Sequence, residues 1–427
     1  MAEKTRRNRK IAAEKVAIAN SSSVADKEAR WVTAVSVCCC IAILAAAFLI
    51  DPQADLAFDA PKWLIAGLCG LAIVTILLLR LWQQSVIAVV RAFTAADATV
   101  VMLILAIIGA IVSTSVAIHG PVAWRALLKC MLLVPFVVAG ASLPLNGPAV
   151  RRLGLVALIA ASGTMLLSLL QFVGFRLPLH IDQIGGRYAT GALLGNEGYV
   201  ALVAALTGAA GFAWLTSAWP NRRFMAWPVS LLLLSCATIA MNRQLTAALA
   251  LLTAAATILA LRWNAHKLVL VVACAALLAS TTALVPALRS VTWGAIPGMD
   301  ASAYQRVTTY RLGAWAAAEE MVRHHPWLGS GPGSFAVEST TRRLDAEIRY
   351  GTRLLQPTGA TFVAAHQDWL QLAAEAGVPV AALVFIAYVT LLWRLMSPLR
   401  QDTRHNLQRI GTAAVLVAAG VAALGWF

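Results

Sequence analysis

The feature that most restricts how this chain can fold is a succession of uninterrupted apolar stretches, each close to the 17 to 25 residues with which a helix crosses a bilayer. About eleven recur along the sequence, at 31–50, 63–79, 98–118, 126–144, 153–175, 198–217, 224–241, 244–261, 268–288, 376–393 and 410–427. In hydrocarbon a helix satisfies every backbone polar group internally, so the expectation is an all-α polytopic membrane protein of about 11–12 transmembrane helices. The segment WQQSVIAVV after Arg80 is too short and polar to span and reads as an interfacial or re-entrant piece. With 60% hydrophobic and 12% charged residues, the chain has too few charges to coat several soluble domains. A soluble enzyme is excluded.

Charge placement sets the expected topology, because cytoplasmic connections are enriched in Lys and Arg. The tail MAEKTRRNRKIAAEK is basic, lacks an apolar core and a cleavage site, and reads as a cytoplasmic arm. Alternation then puts Arg80 and Arg91, Arg151 and Arg152, Arg222 and Arg223, Arg262 and Lys267, and the group Arg394, Arg400, Arg404 and Arg409 on the cytoplasmic side. The first outer connection, DPQADLAFDAPK, is acidic. The expected organisation is a basic arm over 1–30, transmembrane helices 1–9 over 31–288, a long outer loop over 289–371, and C-terminal transmembrane helices over 372–427.

The net charge of +15 would by itself suit nucleic acid, anionic lipid or a phosphorylated substrate. Once the inner arginines are assigned to topology, an outward set remains: Arg176 and Arg187, Arg243 in the tight MNRQ turn, and Arg306, Arg311, Arg323, Arg342, Arg343, Arg349 and Arg353 in the long loop. Arginine offers a planar fork to phosphate oxygens, so guanidiniums converging from separate loops would suit a lipid-linked phosphate or pyrophosphate. Arg243 reads either as a snorkelling interfacial side chain or as such a ligand. Around Arg187, Gly185, Gly186, Gly191, Gly195 and Gly198 serve either close backbone approach to a ligand or helix packing.

In the long loop, YQRVTTYRLGAWAAAEEMVRHHP has amphipathic helical character and suits a membrane surface. LGSGPGSF follows no strand and reads as a rigid elbow rather than a nucleotide loop. In FVAAHQDWLQLAAEAGVPVAAL a polar helix runs directly into a span, carrying His366, Asp368, Gln371 and Glu375 to the membrane mouth. His366 reads either as a satisfied interfacial histidine or as a group able to take a proton from a sugar hydroxyl. For Glu375, capping or packing is expected, since orienting His366 from that distance requires a bend. His324 and His325 read as surface residues. The cysteines, at 38, 39, 40, 69, 130, 236 and 274, all fall in spans and show no disulfide or metal spacing. No Walker-type loop implies ATP.

Two blocks, RLGAWAAAEEMVRHHPWLGSGPGSF from Arg311 and HQDWLQLAAEAGVP from His366, in this order and placement, resemble the O-antigen ligase and polymerase superfamily, and most of all the O-antigen ligases of Gram-negative bacteria. RYATGALLGNEGYVA from Arg187 and NRQLTAALA around Arg243 match more loosely, and the likeness covers about residues 180–395. It implies a GT-C-like glycosyltransferase of the inner membrane, with amphipathic helices in a long periplasmic loop. Such an enzyme moves a glycan from undecaprenyl pyrophosphate to lipid A-core oligosaccharide at the periplasmic face, without metal, nucleotide or other cofactor, and with no nucleic-acid partner. The family's essential histidine falls on His366 and its arginines on Arg187, Arg243 and Arg311. Val380 stands where Gly is common, the Asn196 segment is offset by one residue, and the chain ends at Phe427 inside its last span, which would imply a changed helix count or a shortened chain.

A glycan polymerase or a protein O-oligosaccharyltransferase of the same outline would share these features. A transporter of lipid-linked substrates would need polar residues or paired broken helices at mid-membrane, and the middles of these spans hold almost none. A structural scaffold gives no reason for outward arginines.

Overall fold

The computed structural model describes residues 29–51, 57–82, 98–143, 147–175, 190–218, 225–262, 311–351, 361–396 and 407–424. Most of the basic arm, the stretch 268–288, the loop before Arg311, and Arg176, Arg187, Arg306 and Arg353 lie outside them. All regular elements among the described residues are α-helices. They are α1 Ala29–Phe48, α2 Ala60–Trp82, α3 Ala98–Ser115, α4 Gly120–Met131, α5 Val134–Ser142, α6 Pro148–Phe172, α7 Glu197–Ala218, α8 Ala226–Met241, α9 Leu245–Arg262, α10 Leu312–His324, α11 Phe335–Tyr350, α12 Asp368–Ala376, α13 Val378–Met396 and α14 Leu407–Ala422.

Seven segments are long and apolar enough to cross a membrane, namely α1, α2, α3, Gly120–Gly140, α6, Glu197–Thr216 and α13, and shorter apolar helices cover Ala226–Met241, Leu245–Ala260 and Arg409–Ala422. Together these account for every apolar stretch of the sequence except 268–288, and the chain is an all-α, multi-spanning membrane protein. The span expected at 126–144 begins instead at Gly120, because Arg125 and Lys129 interrupt the apolar run without interrupting the helix. Its helix breaks before Val134, with Pro135 in the first turn of α5.

The chain divides into two units, residues 1–94 with 131–160 and residues 95–130 with 161–427. The core of the first is Val35, Ile73, Ala139, Leu143 and Ala149.

The second unit is built on small residues. Ala201, Ala204, Ala205, Ala209, Ala213, Ala247, Ala250, Ala254, Ala414, Ala418 and Ala422 form one cluster with Met165, Ile239, Ile258 and Ile410. Lipid is as apolar as leucine, so these helices gain by close backbone approach rather than by escaping water. A Cβ on Gly211 would touch Leu231 and one on Gly208 would touch Ser235, so α8 runs antiparallel to α7 and ends beside its start. Gly411 stands against Ala213, and α7 ends at Ala218. Only an antiparallel α14 can then share the cluster with Ala201, Ala204 and Ala205. The start of α7, the α8–α9 turn and the end of α14 therefore lie at one level, to about one helical turn.

Helix α12 does not continue into α13, as the sequence suggested, but folds back along it. Trp369 packs edge-on against Phe385 at 5.4 Å and lies 5.7 Å from the Tyr388 ring, residues two to three turns into α13. The hairpin turns at Gly377, whose φ of 91° suits glycine. A side chain there would strike the backbone carbonyl of Trp327. The space that Val380 takes where Gly was expected is released across the interface, where a Cβ on Gly109 of α3 would lie 2.6 Å from Val380 Cγ2.

Candidate functional site

Between α8 and α9 the chain reverses in a turn whose polar side chains are tied down. The buried Asn242 carboxamide donates to Thr238 O at 2.9 Å and to Ser168 Oγ at 3.4 Å, and its oxygen accepts from Thr190 Oγ1 at 2.7 Å. Ser168 donates to Thr190 O at 2.6 Å, and the Gln171 carboxamide accepts from the Ala192 amide at 2.8 Å. The described start of the loop that follows Arg187 is thus fastened to the turn that carries Arg243. Arg243 is exposed and takes φ 51°, a left-handed conformation that costs a non-glycine residue about 1–2 kcal/mol.

The elbow between α10 and α11 clamps the tip of the α12–α13 hairpin. Gly329, Gly331 and Gly333 have φ of 65°, 103° and 74°. Ser330 N donates to Ala374 O at 3.1 Å, Gly331 N to Glu375 O at 2.8 Å, and Val378 N to Pro326 O at 2.9 Å. The Glu375 carboxylate caps the start of α11, accepting from Gly333 N at 2.7 Å and Phe335 N at 3.3 Å. Burial pushes the Glu375 carboxyl above the usual range, and the hydrogen bonds from Gly333, Gln371 and Phe335 oppose that rise.

Helices α10 and α12 lie side by side and point the same way. Ala314, Ala318 and Met321 form one core with Ala365 and Ala374. At one end Gly313 stands 3.3 Å from the Phe362 ring, measured from where its Cβ would be, and at the other Pro326 meets Val378. Arg311, the N-cap of α10, and His366, just ahead of α12, accordingly occupy the same end of the pair. His366 also has positive φ, at 56°. After it Gln367 caps α12 by accepting from Leu370 N, and Asp368 N donates to Ala423 O at 2.8 Å. That last bond ties the His366 end to the end of α14, the level of the Arg243 turn. The surrounding protein lifts the Asp368 carboxyl to about 6 by desolvation, against the pull of the helix N-terminus.

The structure narrows the outward arginine set. Arg343, 1% exposed, pairs with Glu347 at 2.9 Å and lies over the Phe362 ring at 5.1 Å. Arg349 reaches the fully buried Glu320 at 2.6 Å. Arg323 pairs with Glu319 at 2.7 Å, and Arg342 with Asp345 at 3.3 Å and Glu338 at 3.5 Å. All four guanidiniums are thus engaged with carboxylates, three of them on their own helix and Arg349 across to α10. Among the described residues no ion pair involves Arg243, and Arg187 lies outside them.

Residues 229–386 match the sequence profile of the family described as O-antigen ligase. Over this stretch the chain is similar to the O-antigen ligase family. No curated protein matches the chain. The matched stretch takes in the Arg243 turn, Arg311, the elbow, His366 and the first half of α13, whereas Arg187 precedes it. Among the described residues, no three His, Cys, Asp or Glu side chains are grouped to hold a metal ion. A cleft of about 270 Å³ lined by His324, His325, Trp327, Val116 and Ile118 lies at the hairpin tip, the opposite end of α10 from Arg311.

Three features of this region went unforeseen in the sequence. The fold-back of α12 shows only in tertiary contacts. The tethering by Asn242 had a visible signal, a carboxamide between two apolar helices. The pairing of Arg323, Arg342 and Arg343 had one too, since their acids lie three or four residues away.

Proposed function

We propose that this protein is an O-antigen ligase that transfers a glycan from undecaprenyl pyrophosphate to lipid A-core oligosaccharide at the periplasmic face of the bacterial inner membrane. The observation that carries the reading is that Arg243 and His366, both in left-handed backbone, stand at one level of the second unit. Strained residues of this kind concentrate where geometry serves chemistry.

The acceptor hydroxyl attacks the anomeric carbon, the bond from that carbon to the bridging phosphate oxygen breaks, and undecaprenyl pyrophosphate departs. The leaving group is already a good one, so the demand is to stabilise charge growing on phosphate, which Arg243 and Arg311 meet. Arg187 assists or holds phosphates of the acceptor. His366 takes the hydroxyl proton or positions the hydroxyl, and a single displacement inverts the anomeric centre. No step calls for a metal or a nucleotide. The accompanying topology has the 1–30 arm in the cytoplasm and residues 289–371 in the periplasm, in a GT-C-like arrangement.

The test is purified protein given a defined lipid-linked donor and two acceptors, lipid A-core and a second lipid-linked repeat. Transfer to lipid A-core, with inversion, and its loss in His366→Ala and Arg243→Ala are expected. Full transfer by His366→Ala, or retention of configuration, overturns the scheme. Transfer to the lipid-linked repeat alone replaces the ligase with a polymerase.

A further inference from the structure

We infer that Gln371, backed by Glu375, is a positioning residue that holds His366 in its left-handed backbone conformation; this rests on the catalytic reading of His366 above. A residue at φ 56° persists only where its surroundings over-determine it. The Ala365 N–H, on the Ala364–Ala365 peptide one link ahead of the histidine's own, donates to Gln371 Oε1 at 2.9 Å. Gln371 Nε2 donates to Glu375 Oε1 at 3.0 Å, and Glu375 in turn accepts from Gly333 N and Phe335 N in the elbow.

Gln371 and Glu375 are one turn apart on α12, so both reach along the same face. The run of hydrogen bonds starts at the elbow, passes through two side chains and ends one peptide ahead of the histidine. Glu375 thereby bears on the segment ahead of His366 through Gln371. Both Glu375 oxygens accept, so a carboxylate is required at this position. Gln371 must accept from one partner and donate to the other, which a carboxamide does without charge. On the far side of His366, the Gln367 cap and the bond from Asp368 N to Ala423 O fix the chain, and on the near side Gln371 holds Ala365 while Ser339 holds Phe362.

The test compares Gln371→Met, similar in volume and unable to make either bond, with the parent and with His366→Ala. Expected are a kcat lower by about 10- to 100-fold, little change in KM for the donor, a melting temperature near that of the parent, and faster amide exchange over residues 361–367. Adding Gln371→Met to His366→Ala should cost nothing further, because the two act as a unit. Gln371→Glu keeps an acceptor for the Ala365 amide but loses the donor to Glu375 and sets a second carboxylate against it, so kcat is expected to fall here too; it serves as the test where Gln371→Met does not fold. Parental kcat in Gln371→Met, equal losses in kcat and stability that remain additive with His366→Ala, or parental kcat in a folded Gln371→Glu overturns the inference. Full transfer by His366→Ala instead overturns the reading beneath it.

Discussion

Thr190 Oγ1 donates to Asn242 Oδ1 at 2.7 Å, joining the segment that follows Arg187 to the turn that carries Arg243. Asn242 is 6% exposed and spends its carboxamide on three partners. Asn242→Ala leaves the part-buried Thr190 hydroxyl without its acceptor, at a cost of about 1–3 kcal/mol, while Thr238 O keeps the backbone N–H of residue 242 as a donor. The expected outcome is a lower melting temperature in detergent together with reduced transfer, because the turn and the loop lose their common anchor. An unchanged melting temperature would show that the tether is dispensable.

Arg243 separates backbone strain from side-chain chemistry. Glycine takes φ 51° freely, so Arg243→Gly relieves the left-handed strain while removing the guanidinium. The variant is expected to be as stable as the parent or more so, and to lose transfer by about 100-fold or more, the scale seen when a group stabilising transition-state charge is removed. Arg243→Ala should lose the same activity without the gain in stability. A stable Arg243→Gly that still transfers would remove Arg243 from the mechanism.

Arg343 makes the opposite case. With its guanidinium buried against Glu347 and Phe362, Arg343→Ala leaves a half-buried carboxylate without its partner and opens a cavity beside Gly313. The expected loss of stability is about 3 kcal/mol. The double substitution Arg343→Met with Glu347→Leu should recover most of it, because apolar side chains of similar volume replace a buried ion pair at little cost. Denaturant titration of the three proteins decides the matter.

The spans were legible because apolar character along a helix is local. Ala226–Met241 ends and Leu245–Arg262 begins where Asn242, Arg243 and Gln244 interrupt the hydropathy. The relation of α12 to α13 was not, since DWLQLAAEAG reads as a helix whether it continues past Gly377 or reverses there, and only the packing of Trp369 on Phe385 and Tyr388 decides it. Arg243 and His366 stood out by residue type and place, but their positive φ did not, because the strain is imposed by tethers from distant elements. Thr190 lies 52 residues from Asn242. Arg349 was misjudged for the same reason, its partner Glu320 being 29 residues away on another helix.

Asp368 carries a pH signature. Its carboxyl, at the first turn of α12, stands at about 6 in the folded protein against a model-peptide value of 3.8, raised by desolvation. The folded state therefore holds this proton more tightly than the unfolded chain does. Stability contributed at low pH is lost as pH rises from about 4 to about 6, and stays lost above that. Because Asp368 remains exposed on one side, solvent screening keeps the effect small. Asp368→Asn removes the titration, so its melting temperature should gain on that of the parent between pH 4.5 and pH 7, with the difference settled once pH exceeds about 6. Parallel melting curves for the two proteins across that range would mean that the Asp368 carboxyl is not desolvated in the folded state.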